Sequence, residues 1–434
     1  MTNFNIIDAP TGVGKTTALI DKVKKEASLF SNKRFLIVTP FLSEVQRICK
    51  ETGFSEPKYL GCSKRDSLKI LLATGENICC THSLYYILES ETIALISSGI
   101  YRYTLIIDEE PATVQCIVGK SNTSSDGEQF KMLAPKDYKT AKDSGIICID
   151  EITKRVTWND NSDYAKDTTN IGVWEKTLKT WLVAFDLYSI NDNQSIIAVV
   201  KASLWENFSE IWVASYRIKH SYLSAYCKFN KFTMTYYHIE DNKIVAGYKD
   251  LKPDNLKRLK VCVNPSYVYG KPNGNSRPLS FSWCEKHLID KVTKEITTIG
   301  KDLQSHFRNF LRYTAGNKGS KRLIWTCYKS SAKTLSGKEV SVKRWLAYNT
   351  RATNDYIDCT VVGFLCDRYP NINIDNFFKQ QGITLDKDYM ALSDLIQFVW
   401  RSAIRDKDNK ETVHVFIPSY RMRMLFLKWI GNTI

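Results

Sequence analysis

The sequence predicts an α/β fold of parallel sheets flanked by helices, and three observations lead to that prediction. A glycine-rich stretch near the start of the chain lies between an apolar strand and a helix-like segment. The run 104–107 consists of four consecutive apolar or β-branched residues and ends in acids, as a central parallel strand does at its carboxyl edge. Further short apolar runs alternate with helical patterns, which favours parallel pairing.

The length of the chain limits the number of domains, and its net charge indicates the class of binding partner. At 434 residues the chain has room for two or three domains. Its formal net charge of +15 favours a polyanionic partner, nucleic acid before membrane, although a merely basic surface has the same composition.

The cysteines and the hydropathy pattern indicate the compartment. Twelve cysteines include no Cys-x-x-Cys pair, which argues against a zinc ribbon and favours reduced thiols. No apolar run is long enough to span a bilayer, and no signal peptide is evident. We therefore expect a soluble, cytoplasmic protein without a membrane partner.

The glycine-rich stretch follows the apolar run Phe4–Ile7 and has the context of a P-loop. Gly12 and Gly14 let backbone N–H groups turn toward a polyphosphate, Lys15 suits the β- and γ-phosphates, and Thr16 offers a hydroxyl to Mg²⁺. We therefore expect ATP and Mg²⁺ as ligands. The expected nucleotide-binding residues are Pro10, Thr11, Gly12, Val13, Gly14, Lys15, Thr16 and Thr17.

The acids that follow the run 104–107 complete this prediction. In a P-loop enzyme the aspartate that ends such a strand holds Mg²⁺ through water, and the next glutamate orients or deprotonates the attacking water. We assign Asp108 to the metal and Glu109 to water activation.

Three other strand ends carry small polar residues. Thr39-Pro40 follows the run 34–38, Thr81-His82 follows 76–80, and Ala214-Ser215 ends the run 210–214. A hydroxyl or a histidine at a strand exit suits a phosphate or ribose, although such residues are also ordinary at turns. We predict Thr39, Pro40, Thr81 and His82 as nucleic-acid contacts. No second ligand stands at metal spacing from His82, so we do not predict a metal there.

The hydrophobic pattern predicts two domains, 1–225 and 226–434. The hydrophobic pattern is irregular over about 118–205, which predicts an insertion after the acidic strand. The second domain is predicted to open with the alternating strand 231–239.

The stretch 301–345 contains eleven Lys or Arg residues and two acids, with aromatic residues between them. This pattern suits a groove for a single nucleic-acid strand, with Arg322 and Lys329 as contacts. A basic face over core aromatics explains it equally well.

Near the end of the chain, 394–405 has apolar residues at helical spacing. Gln397, Arg401 and Arg405 lie opposite them at i, i+4 and i+8 and are predicted to form one polar stripe on a single helix.

Taken in order, these motifs resemble the superfamily 2 helicases, and more closely the DEAD/DEAH-like helicases of bacteriophages and prophages. The resemblance covers about 1–115 and 320–430. The segments that carry it are Gly12–Thr16 (motif I), Thr39-Pro40-Phe41 (Ia), Thr81-His82, Asp108–Pro111 (II), Ala214-Ser215 (III), Arg351–Asp355 (V) and Gln397 with Arg401 and Arg405 (VI).

This resemblance implies two RecA-like P-loop domains with ATP in the cleft between them. It implies that Gln397 senses the nucleotide and that Arg401 and Arg405 are arginine fingers that reach the γ-phosphate. The second arginine stands one residue later than in the family, which leaves open which arginine is the finger.

The implied function is an ATP-dependent helicase or translocase, with single-stranded or forked DNA, or RNA, as partner. A role in phage DNA replication, recombination or repair in the host cytoplasm would follow. The alternatives are a terminase-like packaging ATPase and a nucleic-acid-binding protein with weak NTPase activity.

Overall fold

The structure of this chain is a computed structural model. It describes residues 2–59, 61–86, 88, 92–93, 95–96, 101–118, 132–162, 173–192, 194–253, 255–272, 274, 276–314, 321–350 and 355–431. The chain divides into two compact units. The first comprises Met1–Ala9, Val13–Lys249 and Asn371–Leu385, and the second comprises Pro10–Gly12, Asp250–Pro370 and Asp386–Ile434.

The strands of the described residues form three sheets. In chain order they are β1 (Asn3–Asp8), β2 (Lys33–Thr39), β3 (Ile78–Thr81), β4 (Arg102–Asp108), β5 (Val114–Cys116), β6 (Ile147–Ile149), β7 (Arg155–Trp158), β8 (Phe185–Ile190), β9 (Ser195–Val200), β10 (Glu210–Ser215), β11 (Thr233–Glu240), β12 (Lys243–Ala246), β13 (Leu259–Val261), β14 (Leu323–Thr326), β15 (Val361–Phe364) and β16 (Val413–Phe416).

The α-helices flank these sheets. In chain order they are α1 (Lys15–Leu29), α2 (Leu42–Thr52), α3 (Lys64–Ala73), α4 (His82–Tyr86), α5 (Pro135–Asp143), α6 (Val173–Ala184), α7 (Ser203–Glu206), α8 (Tyr222–Phe229), α9 (Phe281–His287), α10 (Thr298–Asn309), α11 (Lys329–Leu335), α12 (Ile372–Gln380), α13 (Lys387–Val399) and α14 (Tyr420–Ile430).

The first unit is built on a seven-stranded sheet in the order β12-β11-β1-β10-β4-β2-β3. All its pairs are parallel except β11 with β12. Residues 103–107 of β4 are almost fully buried, as expected of a central strand covered on both faces. The register places Asp8 beside Ser215, and Ala214 beside Asp108, so the carboxyl ends of β1, β10 and β4 are neighbours.

The insertion between β4 and β10 forms its own five-stranded antiparallel sheet, in the order β5-β9-β8-β7-β6. An insertion after the acidic strand was predicted from the sequence, but its antiparallel sheet was not. Helix α12 also belongs to this unit: Phe377 lies against Tyr188 of β8, with ring centroids 5.3 Å apart, and Asn373 donates to Ser195 of β9.

The second unit is built on a four-stranded parallel sheet in the order β13-β16-β15-β14. Phe307, Phe310 and Trp325 are fully buried in its core together with Phe416. Parallel sheets flanked by helices are therefore present in both units, which confirms the predicted fold class.

Two segments differ in position from the sequence prediction. The strand expected to open the second domain is β11, which pairs in parallel with β1 in the first sheet. Helix α12 was expected in the second domain and belongs to the first unit. In the part of the chain that the structure describes, no helix is both long and apolar enough to cross a membrane.

Candidate nucleotide-binding site

A glycine loop joins β1 to α1, as the sequence predicts. Gly12 and Gly14 have φ angles of 86° and 85°, in the left-handed region where a side chain is disfavoured. Helix α1 begins directly after Gly14, at Lys15. The N–H groups at this helix start suit an anionic ligand, because intrahelical carbonyls do not satisfy them.

The ends of the loop are tied to the sheet by hydrogen bonds. Lys15 Nζ donates to the carbonyl of Ala9 at 2.7 Å, and the N–H of Ala9 donates to the carbonyl of Ser215 at 3.1 Å. The Lys15 ammonium is thereby held at the base of the loop.

The hydroxyl of Thr16 donates to Oδ1 of Asp108 at 3.1 Å, although 92 positions separate them in sequence. The fold makes this contact possible because α1 starts at the same sheet edge where β4 ends. A hydroxyl and a carboxylate are hard oxygen ligands of the kind that Mg²⁺ prefers. The residues therefore fit the ion that the sequence predicts.

The electrostatic environment of Asp108 is unusual for a carboxyl group. Burial raises its pKa to about 6, and the charge of Glu109 acts in the same direction. The Lys15 ammonium and the Thr16 hydrogen bond oppose this rise. Keeping this carboxylate ionised is therefore costly, which is a feature of functional sites more than of structural ones.

The two glutamates after Asp108 have different surroundings. Glu109 has a φ angle of 70°, which is uncommon for a residue with a side chain, and its N–H donates to the carbonyl of Ala214 at 2.8 Å. Oε1 of Glu110 accepts from the N–H of Leu223 at 2.9 Å, in the first turn of α8. Glu110 thus supports a helix start, and Glu109 remains the candidate for orienting water.

Two further residues of the site escaped the sequence analysis. Asp8 ends β1 and is buried, and its carboxylate accepts from the N–H groups of Arg217 (2.6 Å) and Ile218 (3.0 Å). Burial raises the pKa of Asp8, and these hydrogen bonds partly offset the rise. An acid at the strand end directly before the glycine loop was the available signal.

The second is Asn242, in the turn between β11 and β12. A Cβ atom placed on Gly14 would lie 3.3 Å from Oδ1 of Asn242, so this side chain packs against the loop. Asp241 and Asn242 have φ angles of 48° and 59°, as in a tight hairpin turn. Nothing in the sequence places this turn beside the loop.

The predicted nucleic-acid contacts at strand ends are engaged with the protein in several cases. Thr39 is fully buried, so its side chain does not face solvent and its expected contact is not supported; Pro40 is partly exposed. The Thr81 hydroxyl accepts from the N–H of Leu84 at 3.4 Å, and Nε2 of His82 lies 3.1 Å from the carbonyl oxygen of Asp108. His82 thus belongs to the surroundings of Asp108.

The basic stretch 301–345 partly fits the interpretation of a basic face over core aromatic residues. Three of its aromatic residues are core residues, whereas Tyr313 is exposed. Arg322 donates to both carboxylate oxygens of Glu411 and to the carbonyl of Asp358, a structural role that competes with nucleic-acid contact. Lys329 is exposed at the start of α11.

The single helix expected over 394–405 is wrong. Helix α13 ends at Val399, and Ser402 caps a separate short 3₁₀ turn over Ala403–Arg405. Its hydroxyl donates to the carbonyl of Val399 at 2.7 Å, which diverts that carbonyl from a continuing helix. Gln397, Arg401 and Arg405 therefore do not form one stripe.

The two arginines differ in exposure. Arg401 is buried, donates to the carbonyl of Tyr348 at 2.9 Å and lies against the ring of Phe398, whereas Arg405 is partly exposed. Gln397 donates to the hydroxyl of Ser393 at 3.1 Å. Residues 351–354 of the predicted motif V lie outside the described residues.

The fold is a mixed α/β fold of parallel sheets flanked by helices, with a glycine loop between the first strand and the first helix. A solved structure of apo XPD covers 99% of this chain and 96% of its own, with a TM-score of 0.50 and 12% identity. A structure of Xpd4 from S. tokodaii covers 100% of this chain and 94% of its own, with a TM-score of 0.47 and 13% identity.

The sequence comparisons give the family. Residues 259–430 match the model of the YonV C-terminal Rossmann-like domain. The SPbeta prophage-derived uncharacterized protein YonV of Bacillus subtilis (strain 168) is 30% identical over 446 residues, covering all of both chains. The chain belongs to the YonV family.

Proposed function

We propose that this protein is a nucleic-acid-dependent ATPase of the superfamily 2 helicase or translocase type. The observation that carries the proposal is the hydrogen bond between Thr16 and Asp108 at the start of α1. A helix-start hydroxyl beside a strand-end aspartate is the arrangement that holds Mg²⁺ in P-loop NTPases.

The glycine loop would bind the polyphosphate. Its left-handed glycines allow backbone N–H groups to converge on phosphate oxygens, and the start of α1 adds a favourable field. Lys15, held at the base of the loop by the Ala9 carbonyl, would supply a positive charge to the β- and γ-phosphates.

Thr16 and Asp108 would hold Mg²⁺, which when bound neutralises charge on the phosphates. Because the pKa of Asp108 is about 6, the carboxylate is ionised above that pH and ready to bind a cation. Glu109 would orient the attacking water, and its left-handed backbone fixes the direction in which its side chain leaves β4.

Arg405, rather than Arg401, would supply the γ-phosphate contact. Arg401 is buried and donates a hydrogen bond to the Tyr348 carbonyl, so its removal would destabilise the second unit itself. Gln397 remains the proposed nucleotide sensor. These assignments rest on the resemblance of the motifs.

The nucleic-acid partner is supported by the net charge of +15. A relative that matches this chain over the whole length of both proteins is prophage-derived. This origin supports a role in phage DNA replication, recombination or repair in the host cytoplasm. Single-stranded or forked DNA is the first nucleic-acid substrate to test, and RNA is the second.

The test is steady-state ATP hydrolysis without polymer and then with single-stranded DNA, duplex DNA or RNA. Lys15→Ala should abolish hydrolysis, and Lys24→Ala, an exposed lysine of the same helix, should not. Stimulation of hydrolysis by one polymer would support a nucleic-acid-dependent ATPase and would identify the nucleic acid on which it acts. Hydrolysis that no polymer alters would count against a nucleic-acid motor and favour a packaging-type ATPase.

A further inference from the structure

The second unit contains a cavity of about 860 Å³ that the proposed function does not use. The described residues that line it lie after β13 (269–271, 274 and 276–278), after β15 (Asp367 and Tyr369) and in helix α14 after β16. It therefore opens at the carboxyl edge of the parallel sheet, where α/β proteins commonly bind ligands. Its volume is within the range of small-molecule sites, about 300–1,000 Å³.

The floor of the cavity is a fixed ionic network. Asp367 is buried, and Arg421 donates to its carboxylate at 2.7 Å and to that of Asp388 at 2.8 Å. Arg421 also donates to the carbonyls of Arg368 (2.9 Å) and Lys387 (3.1 Å). One guanidinium thus pairs with both acids that line the cavity and offsets one of their two negative charges, and its own donors are engaged.

The rim carries cations that lack acidic partners. Lys271, Arg277 and Lys428 are exposed and line the cavity, and no described residue offers any of them a carboxylate within ion-pair distance. With Arg421, cations outnumber acids four to two around the cavity. An anionic ligand is therefore favoured over a cationic or neutral one.

Tyrosine rings and apolar side chains form much of the remaining surface. The guanidinium of Arg421 lies 4.3 Å from the ring centroid of Tyr369, and that of Arg277 lies 4.9 Å from it. These contacts hold the ring in place. Met424 and Leu425 add a partly exposed apolar surface on α14.

We propose that this cavity binds one nucleotide unit, with its base against the apolar side chains of Met424 and Leu425 and its phosphate on the cations of the rim. A ligand with a flat aromatic part and a phosphate satisfies both halves of the lining, which an inorganic anion or an acidic peptide does not. The unit is either a free mononucleotide or one nucleotide of a single strand, because both present the same chemistry. The inference does not rest on ATP hydrolysis at the glycine loop.

The test is fluorescence anisotropy with two probes, N-methylanthraniloyl-AMP and a fluorescein-labelled oligothymidylate. The full chain carries Lys15→Ala throughout, which removes the phosphate contact of the glycine loop. The test variant is Arg277→Glu with Lys428→Glu. Its control is Lys286→Glu with Lys291→Glu, which makes the same charge change at exposed positions elsewhere in the second unit, outside the basic stretch 301–345.

We expect the test variant to weaken binding of at least one probe by about tenfold or more, and the control by less than about twofold. Met424→Trp, which fills the cavity without altering its charge, should weaken the same probe. Loss for the mononucleotide supports a free nucleotide as ligand, and loss for the oligothymidylate alone supports a strand. No binding of either probe, or equal losses in test and control variants, would overturn the proposal. Hydrolysis by the chain with Lys15 intact is measured separately, so either hypothesis can fail alone.

Discussion

The ionised carboxylate of Asp108 should lower the free energy of unfolding of the ligand-free protein. The substitution Asp108→Asn, which removes this charge, tests that expectation directly. The Asp108 pKa of about 6 exceeds the ordinary 3.8 because burial and Glu109 penalise the charged form. A raised pKa means that the folded state binds the proton more tightly than the unfolded state. Stability is therefore lost as the pH rises from about 4 through 6, and the neutral asparagine avoids that loss.

The magnitude follows from the shift. A difference of about 2 pH units corresponds to at most about 3 kcal/mol, since one unit is worth about 1.4 kcal/mol. Asparagine can still accept the Thr16 hydrogen bond, but as a weaker acceptor than a carboxylate. We therefore expect Asp108→Asn to raise the free energy of unfolding by about 1–3 kcal/mol at pH 8, and by roughly half as much at pH 5.

Urea unfolding in EDTA at the two pH values measures this effect. Asp150→Asn is the matched control, because Asp150 is exposed and hydrogen bonds from the N–H and hydroxyl of Thr153 and the N–H of Ile152 lower its pKa. That control should lower stability at pH 8, with the opposite pH dependence. Millimolar Mg²⁺ should then stabilise the wild type and leave Asp108→Asn unchanged. An Asn variant no more stable than the wild type at pH 8, or a gain independent of pH, would refute the reasoning.

Three other predictions test the neighbouring residues. Asn242→Ala should raise the KM for ATP about threefold to tenfold without changing kcat, because the residue packs against the loop and not against the reacting groups; Asn230→Ala, at the distant end of α8, is the control. Arg401→Ala should lower the free energy of unfolding by about 1–3 kcal/mol, because it leaves the Tyr348 carbonyl without its donor, whereas Arg405→Ala should lower turnover with little change in unfolding. Equal effects of the two arginine substitutions on stability and turnover would contradict that division. Thr16→Ala should raise the Mg²⁺ concentration needed for half-maximal hydrolysis, and an unchanged Mg²⁺ titration would remove Thr16 from the metal site.

The contact of Thr16 with Asp108 follows a rule that applies to any parallel sheet. A strand, a glycine loop and a helix place Thr16 at the carboxyl edge, and a buried apolar run ending in acids places Asp108 at the same edge. Neither inference needs the order of the strands. The sequence could therefore predict which residues meet, although β10 lies between β1 and β4.

The position of Asn242 depends on strand order, which the sequence does not specify. The first four residues of strand β11 alternate between exposed and partly buried, whereas His238 and Ile239 are both buried, and this mixed pattern suits the margin of either sheet. Only its pairing with β1 brings the turn at Asn242 beside Gly14. The prediction that β11 opens the second domain was wrong for the same reason, since its pattern contains no information about its partner.

Helix α12 illustrates the same limit on a larger scale. Its apolar residues, among them Phe377 and Phe378, require a sheet or another helix to cover them, but any apolar surface satisfies that requirement. In the structure the cover is the antiparallel sheet of the insertion, more than 170 positions earlier in the chain, and the polar contact of Asn373 with Ser195 joins them. The insertion and α12 thus stabilise each other, so neither can be interpreted alone: deleting the insertion would expose the apolar face of α12 and alter the chain that leads from β15 to α13. An account of the insertion's role must therefore treat residues 371–385 as part of it.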